Sequence, residues 1–506
     1  MDGLSEREND REISAFKQLQ AKLEGLFARI MPDPLLPRSI LVVPSLTLDE
    51  DVLSRITGVP HYEERMLPLL MLLRLPRARL VYVTSEPLSE AIVDYYLHLL
   101  PGIPHRHARE RLILLNAHDG SPQPLSEKIL ARPRLLHRIG EALGDPADAH
   151  MICFNVAPPE RALAVRLGVP IYGCDPDLLH LGSKSGSRQV FREAGIDLPD
   201  GFEDLHTPAE LADALTRLKR RHPHIAKAVV KLNEGFSGEG NALFHFGGAP
   251  AGEELIAWIE ARLPDLAFEA RNMDWATFSQ KLAEMGGIVE LFIEGAEKRS
   301  PSVQCRIEPN GQIDVISSHD QVLGGKSGQT YIGCTFPADA EYRLAIQGEG
   351  FKAAEVLARH GVIGRFGVDF ISVRTPAGWR HHAIEINLRK GGTTHPFQML
   401  QFLTGGTFDP ESGTFSTVDG RQRSYFATDN LESERYRGLS PSDLIDIAVR
   451  HGIHFHGATQ SGVAFHLIGA LSEFGKLGMV CIAEDVDAAH ALYRQTVEIL
   501  DAECDP

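Results

Sequence analysis

The 506-residue sequence lacks several signatures that define whole classes of protein. Its six cysteines are widely scattered and form no C-x-x-C pair, which is typical of reduced, mostly buried thiols in a cytoplasmic protein. No apolar segment follows the charged start MDGLSEREND, so no signal peptide is predicted. The longest apolar stretch, residues 66–75, is interrupted by Arg74 and is too short to span a bilayer.

Basic residues are fewer than acidic residues. The chain has 51 Lys+Arg against 68 Asp+Glu, a formal net charge of −17, which disfavours nucleic acid or an anionic membrane as the main partner. Low-complexity tracts and internal repeats are absent, and 43% of the residues are hydrophobic, as in chains that fold along most of their length. The length predicts roughly three domains.

The first third of the sequence alternates continuous apolar runs with helical periodicity. Strands are predicted at residues 39–44, 79–84, 112–115, 151–156 and 170–172. Helices are predicted at residues 12–31, 62–75, 88–99 and 160–167. This alternation predicts a parallel sheet in a doubly wound α/β layer. No G-x-G-x-x-G follows the first strand, so we expect the region to shape a substrate cleft rather than bind a dinucleotide.

A hairpin is predicted within residues 361–397. Apolar runs at 366–373 and 382–386 are separated by Thr375-Pro-Ala-Gly378, in which Pro and Gly favour a turn. Side chains alternate between the faces of a strand, so candidate functional residues on these two runs can be assigned to faces from their spacing.

Oxygen ligands are predicted to converge on this hairpin. Asp369 lies on its first strand, whereas Glu385 and Asn387 share one face of the second. Mg²⁺ prefers a few carboxylates together with water and nucleotide phosphates. Arg389 continues the face and would meet charge developing on a phosphoryl or acyl group. The alternative is an exposed polar strand face in an acidic protein.

Two lysines form a candidate phosphate site. Lys184 stands at the start of a predicted helix, where free backbone N–H groups and the helix dipole favour phosphate. Lys231 ends a predicted strand and is followed by the loop 233–241, which contains Gly235, Ser237, Gly238 and Gly240. Glycines let a backbone approach phosphates closely. The alternatives are a surface lysine and an ordinary hairpin turn.

An apolar strand at residues 288–293 is a candidate adenine site. Backbone groups up to Ile293 would contact the edge of the base, Glu290 would accept from its amino group, and Glu297 would reach the ribose hydroxyls. The alternative is a strand that ends in a solvated acidic turn.

Taken in order, these pieces resemble the ATP-grasp superfamily over residues 181–397. Two segments, HDQVLGG at 319–325 with YIGC at 331–334, and EINLRKGGTTHPF at 385–397, resemble a bacterial group related to the pheganomycin-type peptide ligase. The resemblance implies an α/β and α+β fold in three parts. These are an N-terminal α/β pre-ATP-grasp domain (1–180), an ATP-grasp domain (181–410, with a lid at about 225–290) and a small C-terminal α+β unit (411–506).

The resemblance also implies roles for the candidate residues. Lys184 and Lys231 would hold the phosphates of ATP, and residues 235–241 would form the flap over them. The adenine and ribose contacts would come from Glu290 and Glu297, and two Mg²⁺ ions would be held by Asp369, Glu385 and Asn387. In part of the superfamily an arginine stands two residues before the first metal-binding aspartate. Gly367 occupies that position here, so the division of roles between Arg365 and Arg389 stays open.

Two further residues are candidate substrate contacts. Lys326 lies in the glycine-rich stretch 324–335, which suits a substrate loop but equally a mobile surface loop. His395 follows the turn at Gly391-Gly392 and would contact substrate or support a metal ligand, unless it is structural.

The tail is predicted to form a small α+β unit, with helices at 440–450 and 486–500 and strands at 462–471 and 476–482. It would pack on the central domain or form a subunit contact, as in a homodimer. The tail histidines are not predicted to bind a metal, because no acidic or thiol residue joins them at usual ligand spacing; they are His451, His454, His456 and His466.

The predicted function is ADP-forming ligation. A small-molecule carboxylate would take the γ-phosphoryl group of ATP, and an amine or peptide would attack the resulting acyl phosphate, with Arg389 stabilising the oxyanion. A kinase that stops after phosphoryl transfer and a non-catalytic nucleotide sensor are the alternatives. Trapping a hydroxamate with hydroxylamine separates the ligase from the kinase, because the hydroxamate forms from an acyl phosphate.

Overall fold

A four-stranded parallel sheet forms the first third of the chain, in the strand order β3-β2-β1-β4. The computed structural model describes residues 2–48, 53–235, 240–270, 273–324 and 330–504, which leaves Ser237, Gly238 and Lys326 outside the described residues. The strands are β1 (Arg38–Val43), β2 (Ala78–Thr84), β3 (Leu112–Asn116) and β4 (Ala149–Cys153). β1 is buried along its whole length, as a parallel strand covered on both faces should be.

Helices flank this sheet. They are α1 (Asp2–Gln20), α2 (Leu23–Ile30), α3 (Glu90–Leu99), α4 (His105–Arg111), α5 (Leu125–Leu130), α6 (Pro133–Leu143) and α7 (Pro158–Leu167). The segment predicted as a regular helix at 62–75 is a 3₁₀ helix, Val59–Arg74, and contains Pro68, which has no N–H to donate. The strand predicted at 170–172 is only a single bridge between Met151 and Ile171.

A second sheet, which we call the small sheet, has the order β5-β9-β6-β7-β8 and antiparallel pairing throughout. Its strands are β5 (Gly201–Leu205), β6 (Lys227–Leu232), β7 (Asn241–His245), β8 (Ala267–Phe268) and β9 (Gly287–Leu291). The helices of this region are α8 (Lys184–Glu193), α9 (Pro208–Arg221), α10 (Glu254–Glu260) and α11 (Trp275–Met285). Apolar residues of α9 and α11 pack under the sheet, with Leu215 and Phe278 fully buried.

The central sheet contains the predicted hairpin. Its first strands are β10 (Lys298–Arg299), β11 (Pro301–Ile307), β12 (Ile313–Gly324), β13 (Thr330–Phe336), β14 (Gly364–Thr375) and β15 (Gly378–Asn387), and the accompanying helices are α12 (Arg343–Arg359) and α13 (Thr394–Thr404). β14 pairs with β15 in antiparallel fashion across the turn at 375–378, as the sequence predicts. Apolar residues of α12 and of β11 and β14 form one core beneath the sheet.

The tail continues the central sheet. Its elements are β16 (Thr407–Asp409), β17 (Thr414–Ser416), β18 (Ser424–Glu432), α14 (Pro441–Arg450), β19 (Gly462–His466), α15 (Leu471–Phe474), β20 (Lys476–Ala483) and α16 (Val486–Glu503). β18 pairs with β13, and the order continues β18-β20-β19. One hydrophobic cluster joins these strands to α13 and to the N-terminal sheet. Residues on both sides of the predicted boundary at 410 therefore share one continuous sheet, and the boundary itself stays a prediction.

The predicted fold class is confirmed, since a parallel α/β sheet precedes two larger antiparallel sheets and a separate antiparallel pair, β16–β17. Within the described ranges, the helices are all too short or too polar to cross a bilayer.

Candidate active site

A cavity of about 1100 Å³ lies between the small sheet and the central sheet. Both sheets contribute polar side chains to its lining, and the N-terminal region closes one end. The residues singled out from the sequence that line it are Lys184, Lys231, Gly235, Gly240, Glu290, Ile293, Asp369, Glu385, Asn387 and Arg389. Lys184 and Glu385, which are 201 positions apart in sequence, are thus brought to one cavity.

The acidic centre of the cavity is built on the β14–β15 hairpin. Asp369 and Glu385 face each other in the register, next to a β-bulge. Asp369 accepts hydrogen bonds from Gln321 Nε2 (2.9 Å) and Asn387 Nδ2 (3.0 Å). Burial and the neighbouring Glu385 carboxylate raise the pKa of Asp369 to about 7. The carboxylates of Asp369 and Glu385 repel each other, and with the Asn387 amide they offer oxygen ligands to a cation that would offset this repulsion.

Lys184 reaches this centre from the first turn of α8. Its Nζ forms an ion pair with Glu385, and its backbone N–H donates to the carbonyl of Asn233 (3.1 Å). Asn233 Oδ1 also accepts from the backbone N–H of Ser185 (2.9 Å). Burial alone would raise the pKa of Glu385, but Lys184 holds it below its usual range. Asn233 thus joins the start of α8 to the loop that follows Lys231.

Lys231 is held by a second buried ion pair. Its Nζ contacts Glu290 Oε1, and Arg188 Nη1 lies 3.3 Å from Glu290 Oε2. The Arg188 side chain is 2% exposed and also donates to the carbonyl of Pro199 (2.9 Å). Both oxygens of Glu290 therefore face cations, and the adenine contact assigned to Glu290 stays a prediction. Arg188 gave no signal in the sequence, since it lies inside a helix.

An apolar slot adjoins this pair. Its lining comes from both sheets: Val229, Leu291, Phe292, Ile293, Phe370 and Ile384. Lys227 Nζ lies 3.7 Å from the centre of the Phe292 ring. Glu297 does not line the cavity and accepts from Arg299 Nη2 (3.2 Å), so its ribose contact also stays a prediction.

The two candidate catalytic arginines lie in different places. Arg389 lines the cavity beside Asp369 and Glu385, and burial lowers the pKa of its guanidinium. Arg365 does not line the cavity; it stands opposite Arg306 on β11. Burial, and then Arg306, lower the pKa of Arg365 to about 10. The geometry therefore favours Arg389 over Arg365 as the arginine that contacts the reacting groups.

His395 also departs from its expected place. It is buried at the start of α13 and contacts Asp429 on β18 (2.9 Å) and His466 on β19 (3.0 Å). Burial lowers the pKa of His395 to about 4, and the two histidines hold the pKa of Asp429 well below its usual range although burial alone would raise it. The prediction that no acidic residue joins the tail histidines at usual ligand spacing concerns the sequence alone. In the fold, Asp429 Oδ1 lies 2.7 Å from His466 Nε2, and Glu503 Oε1 lies 2.7 Å from His451 Nε2.

A group of basic and polar side chains in the cavity lining, which we call the basic end, was not found from the sequence. Its side chains come from the N-terminal region, the central sheet and the tail: Arg55, Tyr62, Arg65, Tyr331, Asn430 and Lys476. Tyr331 begins the YIGC segment, whereas the other five residues belong to segments that carry no local motif. Their arrangement suits substrates that bear carboxylates.

Comparison with known proteins decides the family. A family model described as "IQCH-like, ATP-grasp" matches residues 176–246 and 251–411, and one for the "PGM1 C-terminal domain" matches residues 443–496. The L-propargylglycine–L-glutamate ligase of Streptantibioticus cattleyicolor is 32% identical over 465 residues, which cover 89% of this chain and 91% of that enzyme.

The chain belongs to the ATP-grasp carboxylate–amine ligases.

Other similarities of this ATP-grasp ligase are more distant. IQ motif-containing protein H of Danio rerio is 24% identical, over 92% of this chain but only 48% of that protein. The biotin carboxylase of Campylobacter jejuni, solved in a complex with an ATP analogue, has a TM-score of 0.56 at 14% identity, with 92% of this chain and 91% of that one covered. The biotin carboxylase domain of Hydrogenobacter thermophilus 2-oxoglutarate carboxylase, solved with MgADP, gives 0.53 at 12%, with 91% and 89% covered. These two structures support the fold.

Proposed function

We propose that this ATP-grasp ligase joins the carboxylate of one amino acid to the amine of another amino acid or short peptide. The observation that carries the proposal is the convergence of Lys184, Lys231, Asp369, Glu385 and Arg389 on one cavity. The L-propargylglycine–L-glutamate ligase, similar over most of both chains, supports amino acids as both substrates.

The nucleotide would lie across the two sheets. The base would enter the apolar slot beside Ile293, and Lys184 and Lys231 would turn from their carboxylate partners to the phosphates. Asp369, Glu385 and Asn387 fit Mg²⁺, since they offer hard oxygen ligands and two like charges that need a counterion. When bound, Mg²⁺ supplies positive charge that neutralises the phosphate oxygens.

The reaction would proceed in two steps. An oxygen of the substrate carboxylate attacks the γ-phosphorus, which forms an acyl phosphate and releases ADP. The neutral amine then attacks the acyl carbon, loses its proton, and the C–O bond to phosphate breaks. Arg389 stabilises the oxyanion of the tetrahedral intermediate.

The basic end of the cavity would hold carboxylates that do not react. Arg65 Nη1 lies 3.3 Å from Asp429 Oδ2, and Lys476 lies 5.3 Å from the Tyr62 ring centre. These contacts hold the cations near the cavity wall. A substrate with a second carboxylate, as glutamate has, would fit this end.

The test is a reaction with Mg-ATP and a pool of amino acids and dipeptides, analysed by mass spectrometry. We expect an amide product and one ADP per amide. With an ¹⁸O-labelled carboxylate substrate, one label should appear in the released phosphate, because the acyl phosphate passes its bridging oxygen to phosphate. AMP and pyrophosphate as products, or a phosphorylated substrate with no amide, would overturn the proposal; the second result would support the kinase.

A further inference from the structure

A second ligand-like cluster lies beside the cavity, apart from the acidic centre. It consists of His395, Asp429 and His466, all buried, and we call it the His–Asp–His cluster. His395 Nε2 lies 3.0 Å from His466 Nε2 and 2.9 Å from Asp429 Oδ1, and His466 Nε2 lies 2.7 Å from the same oxygen. Three ligand atoms thus form a small, nearly equilateral triangle.

Hydrogen bonds alone do not explain this triangle. Each Nε2 carries one proton or none, and an ionised carboxylate only accepts. If both rings are protonated at Nε2, two donors face each other at 3.0 Å. If one ring is not, its lone pair faces a carboxylate lone pair at 2.7 or 2.9 Å. A cation bound to all three atoms, just outside the plane of the triangle, satisfies all three lone pairs at once.

The backbone is shaped to bring the three side chains together. The β18–β20 register shifts between Thr428 and Leu431, a bulge that re-aims the Asp429 side chain. Gly478 on β20 pairs with His466, and a Cβ at that position would lie 2.2 Å from His466 Nε2. The absence of a side chain at Gly478 therefore makes room for the ring.

We propose that His395, Asp429 and His466 bind a divalent transition-metal ion, with Zn²⁺ as the occupant. Two imidazoles and one carboxylate are ligands of zinc, whereas Mg²⁺ prefers oxygen alone. A point roughly 1.2 Å out of the plane of the three atoms lies about 2.0–2.1 Å from each, the usual Zn–N and Zn–O distance, at angles of about 90° between ligands. Tetrahedral zinc would require the three atoms to move apart by about 0.5 Å, to roughly 3.3 Å from one another.

Asp429 brings the proposed site to the wall of the cavity, whereas His395 and His466 do not line it. Asp429 lines the cavity, and its Oδ2 pairs with Arg65, which leaves Oδ1 for the metal. Three protein ligands with an open position are the pattern of zinc sites that bind water or substrate. The metal would also join α13 to β18 and β19, and so fix residues 391–393, which line the cavity just after Arg389.

The test is the metal content of the full chain, purified without a histidine tag from zinc-supplemented medium. We expect about one zinc per chain by elemental analysis, with bound Zn²⁺ lost in Asp429→Asn and in His466→Gln. The matched control is the double variant His454→Gln and His456→Gln, which removes two tail histidines outside the cluster and should keep the zinc.

A second measurement does not depend on the folding of any variant. Co²⁺ added to the metal-stripped wild-type chain should give the visible absorption bands of four-coordinate cobalt, and one equivalent of Zn²⁺ should abolish them. A zinc-free wild-type chain that also gives no cobalt bands would overturn the site. Loss of zinc in the control double variant would overturn the assignment of the zinc to His395, Asp429 and His466. Neither measurement needs ATP, so a negative result for the metal site can be distinguished from a negative result for the proposed ligation.

Discussion

Two clusters of ligand-like side chains lie at one cavity, and they differ in chemistry and in how they are built. The acidic centre, Asp369 with Glu385, offers oxygen atoms alone and forms on one hairpin. The His–Asp–His cluster offers two ring nitrogens and one oxygen, and its members come from three separate elements. The contrast suggests that the ligase keeps a hard cation at the phosphates and a softer one at the substrate end.

The largest expected effect comes from removing a charge of the acidic centre. Asp369→Asn keeps the size of the side chain but removes an ionised oxygen that would hold Mg²⁺, so we expect kcat to fall on the order of 10²–10³-fold. The measurement is ADP release at saturating Mg-ATP. Asp314→Asn is the control, since Asp314 pairs with Arg306 and does not line the cavity. Equal losses in both variants would argue against a metal role for Asp369.

The second effect concerns Arg389. Arg389→Ala should lower kcat about 100-fold or more while ATP binding stays nearly unchanged, because the guanidinium acts on the oxyanion rather than on the nucleotide. Steady-state kinetics and ATP titration measure the two quantities. Arg365→Gln should keep kcat, since Arg365 lies outside the cavity. Normal turnover in Arg389→Ala with slow turnover in Arg365→Gln would reverse the two assignments.

The third effect concerns the other cluster. Gly478→Ala pushes a methyl group against the His466 ring, so we expect loss of zinc and destabilisation by about 1–3 kcal/mol. Denaturant unfolding and elemental analysis measure both, and binding of Mg-ATP should persist. Gly348→Ala on α12 is the control, because a Cβ there meets no atom within 4 Å. Full zinc content in Gly478→Ala would show that the ring does not need this space.

The smallest effect is a pH dependence of the metal-free chain. The pKa of Asp369 rises from 3.8 to about 7 on folding, so the folded state binds the extra proton. Its contribution to stability is complete below about pH 4 and is lost as the pH rises through about 7. We expect Asp369→Asn to flatten this part of the curve of Tm against pH. An unchanged curve would mean that burial and Glu385 together do not raise the pKa of Asp369.

The acidic centre could be predicted because its geometry is local. The four-residue turn sets the β14–β15 register from Thr375–Gly378 to Phe370–Ala383, and the β-bulge next to Phe370 then shifts it by one residue. That shift puts Glu385 opposite Asp369. Lys231 and its glycine loop are also one short segment. The order of these segments along the chain was enough to place them in one family.

The other contacts of the site could not be predicted from the sequence, because they join segments that are distant along the chain. Gln321 meets Asp369 only because β12 and β14 flank β11, and Arg188 meets Glu290 because α8 packs against β9. Asp429 reaches His466 through a bulge that exists only when β18 pairs with β20. A linear spacing rule for metal ligands cannot detect such a cluster, since His395, Asp429 and His466 follow no fixed interval.

The pairing of β13 with β18 has a practical consequence for cutting this gene into expression fragments. A fragment that stops at residue 411, where the first family match ends, lacks β18. One edge of β13 then has unpaired backbone N–H and C=O groups. Such an unprotected edge invites other chains to add to it, so the truncated product should collect in inclusion bodies. The smallest useful fragment therefore extends through β20.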